Sequence, residues 1–162
     1  AAEEVVIPPN SGSLLVDEAT SRFSGAIWYS AIQSKTITLA GVGGIGSYVG
    51  FLLARLKPAG LYLYDPDIVK QANMSGQLYG NHNLGQGKVY ALHNMMQQYA
   101  NYYNAVAYQE RFTAESEATD IMICGFDNME ARKLFFDAWE DRLISKPEEE
   151  RGKMLFHLPL HH

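Results

Sequence analysis

A single cysteine, Cys124, is all that the chain carries. One thiol makes no internal disulfide and no cysteine-rich zinc site, and a reducing, cytoplasmic setting is the default expectation. Basic residues are also scarce: 13 lysines and arginines stand against 18 aspartates and glutamates, for a net charge of -5. That balance excludes a general nucleic-acid binder, which presents a basic face. No apolar run reaches about 18 residues, so no membrane span is expected. The opening residues lack the charged-then-apolar order of a secretory signal. No internal repeat is visible.

The chain does have bulk: 162 residues, 47% of them hydrophobic and 12% aromatic. That is enough for one domain with a sizeable core. Residues 1–20 read as an N-terminal arm, because "IPPNSGS" is rich in turn formers and lacks periodicity. Residues 21–162 read as a single domain. Within it "GAIWYSAIQ" predicts a short helix and "KTITLAG" a strand ending at glycine. "SYVGFLLARL" has helical spacing and stops at Pro58 and Gly60. "LYLYD" is a second strand, closing at Asp65. A loop over 66–87 follows; its length and its glycine and asparagine content mark it as functional. Residues 88–103 predict a helix, with Met95, Met96 and the tyrosines at core or interface positions. "AVAYQERF" and "DIMICGF" predict strands, residues 128–143 a helix, and "MLFHL" a last apolar run. This rhythm predicts an α/β, Rossmann-like doubly wound, mostly parallel sheet with helices on both faces.

Such sheets bind ligands at the carboxyl ends of their strands. Gly41–Gly46, Asp65 and Gly125–Asn128 then share one rim. Gly41, Gly43 and Gly46 form G-x-G-x-x-G between a strand and a helix, with Gly44 adding a fourth glycine. The first allows a tight turn, the second lets backbone approach a phosphate, and the third lets helix and strand pack closely. The helix start offers unpaired N–H groups and a positive dipole end. Asp65 stands where an acid would bond a ribose hydroxyl. The fingerprint by itself does not choose between nucleotides.

Further motifs narrow the choice. "DPDIVKQANMSGQ" follows the second strand, then "LGQGKV", then "CGFDNMEAR". Over residues 22–139 this ordered set resembles the ThiF/MoeB/HesA superfamily, which includes the ubiquitin-activating enzymes. That family shows G-x-G-G-x-G, D-x-D-x-V followed by S-N-L-x-R-Q, a G-x-x-K-V helix start and a D-N pair after the fourth strand. The resemblance implies a domain that binds ATP and magnesium. It implies adenylation of the C-terminal carboxylate of a ubiquitin-like protein, a sulfur carrier or a peptide, and a homodimer. Carried over, Gly41, Gly43, Gly44 and Gly46 cradle the nucleotide and Asp65 holds the ribose. Asn73 and Gln77 line the phosphate side, with Asp67 in the loop between. Lys88 neutralises the triphosphate, and Asp127 binds magnesium with Asn128 beside it.

Plainer roles compete for several of these. Lys88 opens a helix, where the dipole disfavours a cation unless an anion is near; a solvated surface lysine is the alternative. Asp127, with Glu130 three residues on, matches a capping box. Asn73 also suits a turn, and Asp67 suits shaping the loop. Cys124, in an apolar strand, reads as a small buried hydrophobe. His82 and His93 lack metal-ligand spacing. The chain also departs from the family pattern: Gly76 and Gly25 stand where two phosphate-contacting arginines are expected, although Arg22 and Phe23 match. The catalytic cysteine of the thioester-forming members is missing, and the usual continuation after the fifth strand is short, so the chain is expected to be a fragment. Three readings stay open: an adenylating enzyme, a nucleotide-binding scaffold that has lost the chemistry, and an NAD(P)- or FAD-binding oxidoreductase domain.

Overall fold

Five strands lie side by side in the order β3-β2-β1-β4-β5, every neighbouring pair parallel. They are β1 (Thr36–Ala40), β2 (Gly60–Tyr64), β3 (Ala105–Tyr108), β4 (Ile121–Cys124) and β5 (Leu155–His157). The helices are α1 (Ile27–Gln33), α2 (Gly44–Arg55), α3 (Lys88–Ala100) and α4 (Met129–Ser145). This computed structural model describes residues 27–126 and 128–147, and the backbone of 155–157. The arm expected over 1–20, the Arg22–Phe23 match, Gly25 and Asp127 lie outside the described residues.

Period-two alternation sorts the strand side chains onto two faces. Ile37, Leu39, Leu61, Leu63, Ile121 and Ile123 pack with residues of α2 and α3. Ala40, Tyr64, Met122 and Cys124 pack instead with Phe112 and with Phe135 of α4. Tyr64 stacks on Tyr108 at 4.7 Å, and Phe112 meets Phe135 edge-on at 4.9 Å. The expected doubly wound architecture is therefore present, and among the described strands the sheet is wholly parallel.

Three boundaries differ from the sequence reading by three residues or more. Helix α2 begins at Gly44, not Ser47, so the last glycines of the motif belong to its first turn. Helix α3 stops at Ala100, short of Tyr103, because Asn101 takes the left-handed conformation at φ 50°. Asparagine tolerates that conformation and so ends helices. Tyr102 then turns into the core and donates to Pro58 O at 2.9 Å, while Tyr99 and Tyr103 stay exposed. Strand β3 ends at Tyr108, short of Phe112. Its partner β2 finishes at Tyr64 and leaves nothing further to pair with.

Chain order puts the crevice where ligands bind in this architecture. From β1 the chain runs outward to β2 and β3, then crosses to β4 on the other side of β1. The reversal falls between the carboxyl ends of β1 and β4. At the opposite ends the sheet is tied by ions: Asp120 accepts from Thr36 N and Oγ1, both at 3.1 Å, and pairs with Arg142 and Lys146.

Candidate nucleotide site

Two glycines meet at the reversal point. Gly41, at φ +93°, follows β1 directly. A Cβ on it would come within 2.7 Å of Gly125 C, and one on Gly125 within 2.6 Å of Gly41 O. Gly125 N–H donates to Ala40 O at 2.6 Å, so the ends of β1 and β4 are in backbone contact. Gly46 is needed for the same reason between strand and helix. A Cβ there would fall 2.1 Å from Gly41 O, a distance that only backbone movement could relieve. Gly43 precedes α2, and the first N–H groups of that helix have no intrahelical acceptor.

Asp65 closes the far side of the turn. Its Oδ2 accepts Val42 N–H at 3.0 Å and its Oδ1 accepts Asp67 N–H at 2.9 Å. An ionised carboxylate offers about four acceptor positions, so two bonds leave capacity for a ligand. Asp65 lines a cleft of about 360 Å³ with Gly41, Asp67, Arg111, Phe126 and Asn128. This cleft holds apolar rings, a carboxylate and a guanidinium together, which suits a nucleoside.

The loop over 66–87 folds back over the glycines. Val69 is buried and anchors it: its N–H donates to Gln86 O and its carbonyl accepts Gly85 N–H. Two short 3-10 turns, Gln71–Asn73 and Asn81–Asn83, carry the chain between. Asn73 Oδ1 accepts Lys70 N–H at 2.7 Å, so one end of that side chain builds the turn. Leu78 N–H donates to Ser47 Oγ at 3.1 Å and fastens the loop to α2. Gln77 is brought over Gly43: its Nε2 lies 3.4 Å from where a Gly43 Cβ would stand. Gln77 Oε1 is buried and has no hydrogen-bond partner among the described residues.

Lys88 completes this group. Its Nζ lies 3.8 Å from the same Gly43 Cβ position and 3.8 Å from Asp67 Oδ2. The residue is only 6% exposed, which removes the alternative of a solvated surface lysine. Asp67 does shape the loop, since its carbonyl accepts Lys88 N–H at 2.9 Å. A buried ammonium at the positive end of a helix is costly without anionic company. The Asp67 carboxyl is 64% exposed and supplies only part of it. Across the crevice, Asn128 caps α4, its Oδ1 accepting Ala131 N–H at 3.0 Å. The cap that the sequence offered to Asp127 therefore belongs to its neighbour.

The ThiF family profile matches residues 17–144. The chain belongs to the ThiF family. Ubiquitin-like modifier-activating enzyme 5 of Culex quinquefasciatus is 30% identical over 121 residues, covering 64% of this chain and 30% of that protein. Its namesake from Caenorhabditis elegans is 41% identical over 63 residues, 39% of this chain and 15% of that protein. Among solved structures, E. coli tRNA N6-threonylcarbamoyladenosine dehydratase TcdA in complex with ATP superposes with a TM-score of 0.69 at 18% identity. The match covers 80% of this chain and 59% of that one. E. coli MccB with ATP gives a TM-score of 0.61 at 16% identity, covering 80% and 43%. The chain thus spans about a third or less of the curated relatives it matches.

Against the ThiF pattern, the arginine position occupied by Gly76 is sterically open: a Cβ there meets nothing within 4 Å. Its carbonyl nonetheless sits 4.0 Å from the Gly44 Cβ position, directly over the helix start. Cys124 is buried, and burial pushes its thiol up, which fits a packing role. His93 bonds Ala105 O at 3.1 Å and is structural. Among the described residues no three His, Cys, Asp or Glu side chains gather to hold a metal, and no helix is long and apolar enough to cross a membrane. Sequence reasoning missed Arg111, Phe112 and Tyr79, whereas Phe126 falls within the Gly125–Asn128 rim it named. Arg111 and Phe112 reach the cleft only through tertiary packing. Tyr79 sits inside the loop, where no periodicity points to it, and its hydroxyl donates to Val42 O at 2.5 Å.

Proposed function

We propose that this ThiF-family chain binds ATP with magnesium and adenylates a C-terminal carboxylate of a ubiquitin-like protein, a sulfur carrier or a peptide. One observation carries the reading. Lys88 is buried, and half-buried Gln77 with its buried Oε1 lies beside it, against the bare backbone of Gly43 at a helix N-terminus. A cation, an unused polar group and unpaired amides around a position without a side chain fit a triphosphate. The nucleoside end fits the 360 Å³ cleft, with Asp65 as ribose acceptor. Asp127 would hold magnesium and Asn128 stands at the rim beside it. Asn73, Asp67 and Gly44 complete the nucleotide side. Relatives named ubiquitin-like modifier-activating enzyme, and neighbours solved with ATP, support the same ligand and reaction class.

In this reaction a carboxylate oxygen of the partner attacks the α-phosphorus. The new P–O bond forms the acyl adenylate, the α–β bond breaks, and pyrophosphate leaves. Negative charge grows on the leaving group, so fixed cations close to it carry much of the rate. Lys88 is the described cation at the glycine turn, and Arg111 is the described cation lining the cleft. We further propose that residues 21–162 form one nucleotide-binding domain, that the protein works as a homodimer, and that it acts in the cytoplasm.

The test is titration with ATP and magnesium, and separately with NAD, followed by pyrophosphate exchange in the presence of ubiquitin-like proteins ending in a free carboxylate. Binding of ATP with exchange supports the proposal. Binding of ATP without exchange points to the scaffold reading. Stabilisation by NAD and not by ATP refutes both.

A further inference from the structure

We infer that Tyr79 is a positioning residue for the nucleotide turn, aiming the Gly43 amide at phosphate; the inference rests on the nucleotide reading above. Tyr79 lies far from the glycines in sequence and is 3% exposed. Its hydroxyl donates to Val42 O at 2.5 Å, while Asp65 Oδ2 accepts Val42 N–H at 3.0 Å. Both backbone groups of one residue in the turn are thus held by side chains, one from the second strand end and one from the long loop. Val42 itself is fully buried.

The consequence follows from peptide geometry. In a trans peptide the C=O of one residue and the N–H of the next point in opposite directions in one plane. Holding Val42 C=O inward against Tyr79 therefore turns Gly43 N–H the opposite way, away from Tyr79, on a residue whose Cβ position faces Lys88 and Gln77. Glycine offers no steric resistance to rotation of that plane. The hydroxyl supplies the restraint that a side chain at position 43 would otherwise give. Neighbouring carbonyls are already engaged: Gly43 O accepts Ser47 N–H, and Gly44 O accepts Ser47 Oγ, both at 2.9 Å. The peptide between Val42 and Gly43 is then the turn's adjustable unit, and Tyr79 sets it. Burial first, and the Asp65 carboxylate second, push the phenol's ionisation up, so the hydroxyl remains a donor at working pH.

Phenylalanine at this position keeps the ring and its packing and removes only the donor. The control is Tyr102→Phe, which removes another buried hydroxyl, one bonded to Pro58 O at 2.9 Å. Calorimetric titration of the wild type and both variants with magnesium-ATP and with adenosine reads the effect, and a thermal melt confirms that each is folded. Tyr79→Phe should weaken ATP by about tenfold relative to adenosine, the scale of one lost buried hydrogen bond. The Gly43 amide resonance of the ligand-free protein should also shift. Tyr102→Phe should change neither the affinity ratio nor that resonance. An unchanged ratio in Tyr79→Phe, or an unmoved Gly43 resonance, overturns the positioning role while leaving ATP binding intact. A wild-type chain that binds no ATP overturns the nucleotide reading, and this inference with it.

Discussion

Asp65→Asn separates a brace from a ligand contact. The wild-type carboxylate accepts one backbone N–H on each oxygen, from Val42 at 3.0 Å and from Asp67 at 2.9 Å. An amide keeps one acceptor and presents an NH2 where the other stood. One buried donor is then left facing a donor, and the surviving bond loses its charge assistance. The expected cost is about 2 kcal/mol, since bonds to charged groups contribute roughly 1.5–3 kcal/mol. For a chain of this size that lowers the melting temperature by about 4–8 °C. The ligand term is separate. If the remaining acceptor positions take ribose hydroxyls, removing those hydroxyls should weaken wild-type binding by about 10- to 100-fold. The assay is a cycle of two proteins and two ligands, ATP and 2′,3′-dideoxy-ATP, followed by calorimetry. In Asp65→Asn the two ligands should bind with nearly equal affinity. If the variant discriminates between them as strongly as wild type, Asp65 only braces the turn and the ribose assignment is wrong.

Other perturbations address other parts of the site. Lys88→Met, an apolar near-isostere, should weaken ATP by about 10- to 100-fold and leave adenosine unchanged, without loss of thermal stability, because a buried ammonium is itself costly; equal loss for both ligands refutes the phosphate role. Gly76→Arg restores the family's arginine at a position where a Cβ meets nothing within 4 Å and whose carbonyl lies beside the start of α2. If the missing arginine limits the chemistry, pyrophosphate exchange should rise by at least about tenfold, a small part of what an arginine finger supplies; an unchanged rate in a variant that binds ATP refutes that. At the other end of the sheet, burial raises the Asp120 pKa, but the Lys146 and Thr36 contacts outweigh it and hold the carboxyl well below the usual range. A depressed carboxylate contributes stability above its unfolded value near about 4, and loses it as pH falls below that. Asp120→Asn should therefore destabilise the protein at pH 7 and flatten the fall in melting temperature between about pH 4 and pH 2; an unaltered acid profile refutes the assignment.

The local patterns that build the fold were readable because each reports on its own neighbourhood. The β-branched and apolar residues of "TITLA" and the short apolar run "IMIC" predict strands, and the structure buries nearly all of both. The Gly41, Gly43 and Gly46 spacing predicts a close turn, and the close Gly41–Gly46 approach is its cause. Boundaries failed where a partner or a single dihedral decided them. Strand β3 stopped when β2 ran out, and α3 stopped at a left-handed asparagine.

The sequence by itself determined the order of elements along the chain and the glycine turn with its acid, since these follow from periodicity and from what glycine alone permits. Tertiary structure decided which groups share the crevice. Only folding buries Lys88 against Gly43, leaves Gln77 Oε1 without a partner among the described residues, brings Arg111 to the cleft and hangs the turn from Tyr79. Those contacts join segments far apart along the chain, and the burial that gives a charge or a hydroxyl its strength exists only once the layers have closed.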